Sequence, residues 1–96
     1  MDENMDPRER ADAIDASVAH LSLADLSMAA TRLRERVDYM KDQIAEAMRQ
    51  AEGWRGVDEG QRLLWQGEVA AMLAATRIYA AGADALREVI ARRTAH

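Results

Sequence analysis

The stretch EGWRGVDEGQ, Glu52 to Gln61, sets a tryptophan between two glycines just past the middle of a 96-residue chain. On both sides of it apolar residues recur three and four apart, the mark of helices with one buried face. Gly53 is placed to end the preceding helix in a left-handed conformation, and Gly56 supplies a second permissive point. Asp58, followed three residues on by Gln61, has the spacing of a capping box that starts a new helix. Two helices therefore meet at Trp54, Arg55 and Gly56.

Upstream, Ser22 with Asp25 has the spacing of an N-cap with an acidic residue in the first turn, where the helix dipole favours negative charge. From there Leu23, Leu26, Ala30, Leu33, Val37, Met40, Ile44, Ala47 and Ala51 form a heptad seam. Downstream, Trp65, Val69, Met72, Thr76, Tyr79, Ala83, Leu86 and Ile90 repeat it. Thr76 is the polar member of that stripe, placed either to bond back to a carbonyl one turn earlier or to specify register. Gly67 and Gly82 lower helix propensity by about 1 kcal/mol each relative to alanine, and mark either close approach of another backbone or simple tolerance.

The spacing predicts helices over 22–52 and 58–93, a turn over 53–57 and a short tail over 94–96. Each helix is on the order of 45 Å long at 1.5 Å per residue. A short linker between helices of equal length makes an antiparallel hairpin. Residues 1–21 read as flexible or partly ordered. Met1 to Ala11 is polar, charged and broken by Pro7, while Ile14, Val18 and Leu21 form at most one short helical face, out of phase with the seam that begins at Leu23. A break is expected near His20 to Ser22.

Composition narrows the function classes. The chain has no cysteine and two histidines, His20 and His96, which leaves no thiolate site and no histidine ligand set. With 17 acidic and 13 basic residues the surface is mildly acidic, against the basic face that phosphate binding needs. Arg32, Arg34 and Arg36 cluster, but Glu35 and Asp38 interleave with them. Neither a cleaved secretory signal nor an apolar run of membrane-spanning length is read from the sequence. Lys41 is the single lysine amid many arginines and alanines, a bias of GC-rich genomes.

Both helices also carry apolar residues beside the seam: Met28 and Met48 on the first, Leu64 and Leu73 on the second. These widen the stripe past what one partner helix covers. Seam and flanking positions are rich in alanine and methionine and hold no phenylalanine; each alanine contributes little buried area at roughly 25 cal/mol per Å², so an isolated hairpin is marginal. The expected architecture is all-α, an antiparallel two-helix hairpin that dimerises into a four-helix bundle.

A chain near one hundred residues, with two long helices and W-x-G at the connecting turn, resembles the small WXG proteins exported by type VII secretion systems. The resemblance covers about Val18 to Arg93, including VAHLSL as an extended lead into the first helix. It implies a non-enzymatic protein without cofactor, exported folded and without a cleaved signal peptide. The implied partners are itself or a related WXG-like chain, a larger toxin with a similar helical start, and the secretion ATPase. Trp54 and Gly56, with Arg55 between them, match the family's turn element. The second export element, Tyr-x-x-x-Asp/Glu, is matched imperfectly: Tyr79 is followed by Ala83 at the fourth place and by Asp84 one place late. Where relatives often carry an aromatic residue early in the second helix this chain has Arg62, with Leu63, Leu64 and Trp65 as substitutes for its packing. The alternative is a cytosolic helical interaction module, a small chaperone or assembly adaptor.

Other constellations carry less. Trp54 cannot bury fully in so narrow a corner, so it either caps the hairpin end against residues such as Leu64 or stays partly exposed as a contact. Asp38, Asp42 and Glu46 share one helical face and form a salt-linked solvated surface with Arg34 and Arg49 rather than a carboxylate metal site. No serine or threonine has a histidine and an acid arranged to activate it, and no phosphate-binding glycine loop is present.

Overall fold

The computed structural model describes residues 6–95. The segments 1–5 and 96, which include part of the expected flexible N-terminus and His96, lie outside the described residues. The chain forms three helices, α1 (Pro7–Ser17), α2 (Leu23–Gly53) and α3 (Glu59–Thr94), with α2 and α3 packed antiparallel as a hairpin.

α2 starts where its chemistry places it. The Ser22 hydroxyl accepts from the Asp25 amide at 3.1 Å, and the Asp25 carboxylate accepts from the Ser22 amide at 3.2 Å, a complete capping box. α3 starts on one half of such a box, with the Asp58 carboxylate accepting from the Gln61 amide at 3.2 Å. The two helices run 31 and 36 residues.

Their seam is the core. On α2, Leu26, Ala30, Val37, Ile44, Ala47 and Ala51 are buried, and Leu33 and Met40 are half-buried. Facing them, Ala83 is buried, while Trp65, Val69, Met72, Leu86 and Ile90 are half-buried. Leu23, expected to open the seam, is 41% exposed. Val89, which the heptad reading passes over beside Ile90, is fully enclosed. Thr76 donates to the Met72 carbonyl at 2.7 Å, so its hydroxyl is satisfied within its own helix.

The N-terminal region differs from its reading as a tail. Asp6 caps α1 by accepting from the Arg8 and Glu9 amides, and Pro7 occupies the first turn. Proline belongs there because its missing N–H has no intrahelical partner to lose. The proline that suggested a break is a helix start. VAHLSL is likewise not an extended lead: the Leu21 amide donates to the Val18 carbonyl at 2.9 Å, a tight turn that redirects the chain into α2.

α1 lies against α3 and is tied to its last turn. Arg92 meets Asp12 at 2.9 Å, and the Arg93 guanidinium donates to the Leu21 and Val18 carbonyls at 2.7 and 3.1 Å. Asp15 stands 3.6 Å from the same guanidinium. A helix of 11 residues is marginal alone, so these ties and the burial of Ala11 hold it.

Candidate functional site

The hairpin tip is built from the end of α2. The Trp54 amide still reaches the Gln50 carbonyl at 3.2 Å, and the Arg55 amide the Glu52 carbonyl at 3.1 Å, so the helix winds down through the tryptophan. The Trp54 carbonyl then accepts from the Val57 and Asp58 amides at 2.9 and 3.0 Å, closing the turn. Gly56, at φ +74°, is the residue in left-handed backbone. Gly53 is not: it is the last residue of α2, because the orphan carbonyls of that helix end are met by Trp54 and Arg55 before the chain reverses.

The tip is charged and largely exposed. Arg55 pairs with Glu52 at 3.0 Å, and Arg62 with Glu59 at 2.7 Å. The Glu59 carboxylate also accepts from the Gly56 amide at 3.4 Å, which links α3 back to the turn. The Arg62 guanidinium, with the Gly56 amide second, holds the Glu59 carboxyl below its ordinary value. Arg62 is thus an electrostatic tie at the place where an aromatic residue was sought.

Trp54 is half-buried, yet Leu64 is 65% exposed, so the tryptophan does not cap it. Of the three substitutes for the missing aromatic residue, Trp65 is half-buried whereas Leu63 and Leu64 face solvent. Beside the tip, Met48, Ala51, Glu52, Arg55, Gln66 and Val69 line a groove of about 290 Å³ between the helices.

The structure does not bring Tyr79 and Asp84 together. Five residues rotate a helix by about 140° beyond a full turn, so the two point to different sides. Tyr79 is half-buried on the seam, with the Arg36 guanidinium 5.4 Å from its ring centroid, a cation–π contact across the hairpin. Asp84 is exposed and borders the groove between α1 and α3.

Asp38, Asp42 and Glu46 are exposed, and Glu46 is engaged by Arg49 and Gln50. The Arg49 guanidinium, then the Gln50 amide, lowers the Glu46 carboxyl. Among the described residues no group of histidines or carboxylates converges on a metal position.

The surface around the seam remains open. Met28 and Met48 are each 57% exposed, Leu73 41% and Ile78 71%. α3 holds an 18-residue window of mean hydropathy 1.2, long and apolar enough to cross a membrane by length and composition, with 11% of it buried. It is no unbroken apolar run, because Arg77 and Asp84 interrupt a stretch whose alanines keep the average high. Compared with known proteins, the chain matches no family model, no curated protein and no solved structure.

Proposed function

We propose that this chain is a non-enzymatic WXG-like protein of a type VII secretion system, an exported substrate or the targeting partner of one, acting as a bundle of two chains. What supports the reading most is the joint placement of its parts. Trp54, Arg55 and Gly56 occupy the tip of a hairpin of two long helices, and large apolar residues on both helices are left uncovered. Uncovered apolar area on this scale is what a partner hairpin removes from water. The companion chain is a second copy or a related one, and the bundle leaves the cell folded.

A cytosolic interaction module is the second reading, favoured by one observation. Tyr79 is engaged by Arg36 and faces away from Asp84, so the second export element has no shared surface. Export from the native host separates the two. Under the leading reading the protein accumulates in culture fluid, and Trp54→Ala abolishes this while far-ultraviolet circular dichroism stays helical. Export unchanged by Trp54→Ala removes the turn as a signal, and retention of the unaltered chain in the cytosol favours the module.

A further inference from the structure

α1 is held to the rest of the molecule by a different kind of contact from the one that joins α2 to α3. It buries one residue, Ala11, and along its length a groove of about 460 Å³ stays open against α3, bordered by Pro7 and Ala11 on one side and by Ala81 and Ala85 on the other. Eleven residues are too few for a helix to persist alone in water. Apolar packing therefore gives α1 little of its hold.

Charge gives the rest, and it comes from two adjacent residues. The last turn of α1 has no basic side chain of its own to meet the negative end of the helix dipole. Arg93 supplies it from 75 positions further along the chain, its guanidinium donating to the Val18 carbonyl at the C-cap and to the Leu21 carbonyl beyond it. Arg92 pairs with Asp12, and Asp15, three residues on and on the same side of α1, stands by Arg93. α1 is thus capped in trans, so docking and helix formation are one event. Because both arginines sit on one turn of α3, these contacts form and break together.

Two further features lower the cost of breaking them. Asp12 is 73% exposed, so dissolved ions reach its pair with Arg92. Arg92 also stands 3.5 Å from Glu88, one turn back on α3, and keeps that partner when Asp12 withdraws. The hairpin seam has no such sensitivity, since its buried residues are apolar and salt does not weaken apolar burial.

We propose that α1 is a strap released by ionic strength. It leaves α3 and unwinds as one unit while α2 and α3 stay packed, which uncovers α3 at Ala85 and frees residues 6–21 as an open chain. Release is a property of the single chain and holds whether or not the protein is exported or paired.

Hydrogen exchange of the full chain, read segment by segment, tests this. Raising sodium chloride from about 0.1 M to about 1 M shortens the screening length from roughly 10 Å to roughly 3 Å. Exchange in α1 then speeds by roughly threefold or more, the effect of screening exposed ion pairs, while amides in the middle of α2 keep their protection. Asp12→Asn combined with Asp15→Asn changes α1 alone. At the lower salt its α1 exchanges about as fast as that of the parent at the higher, and most of the salt dependence is gone. Equal α1 exchange of the parent at both salt concentrations overturns the proposal, because packing at Ala11 would then hold the helix. Loss of α2 protection in step with α1 overturns it too, since α1 would open only with the hairpin. So does a double variant with the salt dependence of the parent, which would place the responsible charges elsewhere.

Discussion

Gly53 and Gly56 flank the same tryptophan, yet an added methyl group would act on them in opposite directions. Gly53 ends α2 without a positive φ and with nothing within 4 Å of where a Cβ would sit, so only its helix propensity changes. Gly53→Ala is expected to stabilise the chain by up to about 1 kcal/mol. Gly56 is equally uncrowded but sits at φ +74°, where a Cβ meets its own backbone. Gly56→Ala is expected to destabilise by about 1–2 kcal/mol. Urea denaturation of the two variants checks both signs, and equal shifts would contradict the backbone account. The sequence reading gives the left-handed turn to Gly53 and the structure gives it to Gly56, because the answer depends on how far α2 winds past Gly53. Val89 is illegible for a related reason: it is enclosed at the end where α1 lies, outside the heptad seam that α3 turns toward α2.

The long helices are legible because period, caps and turn agree. Ser22 with Asp25 and Asp58 with Gln61 mark their starts, and the seam residues are buried or half-buried along most of their length. α1 is not legible, since its signals are an aspartate and a proline that equally describe a loop, and its stability comes from Arg92 and Arg93 far along the chain. The tip between α2 and α3 carries a pH dependence. Glu59 titrates below its ordinary 4.5 because of Arg62 and the Gly56 amide, and Glu46 does so because of Arg49 and Gln50. A depressed carboxylate stabilises the fold above its unfolded value, and that contribution is lost as pH falls through the folded value. Thermal melts should therefore fall between about pH 5 and 3, and Glu59→Gln should flatten part of the fall by lowering the pH 7 melt by that same part, a small one because the Glu59 carboxylate is exposed. An acid slope identical in Glu59→Gln and parent would remove Glu59 from the account.

Across the molecule the hairpin is held by a thin, alanine-rich seam; the largest fully enclosed side chains among the described residues are Leu26 within it and Val89 at the end where α1 lies. The N-terminal helix is held differently, by the ion pair of Arg92 and the two carbonyls that Arg93 clasps. Arg93→Gln is expected to speed hydrogen exchange in α1 by roughly tenfold or more, since hydrogen bonds from a charged group contribute about 1.5–3 kcal/mol. Amides in the middle of α2 should keep their protection. Unchanged exchange in α1 would show that the Arg92–Asp12 pair and the burial of Ala11 retain it without the clasp. The clasp also imposes an order on synthesis. Residues 6–22 leave the ribosome before both long helices, but the arginines that fasten them come at the end of the second. Of the three helices described, the first to be made is therefore the last to find its place, and until then it is a free segment within reach of whatever meets the nascent chain.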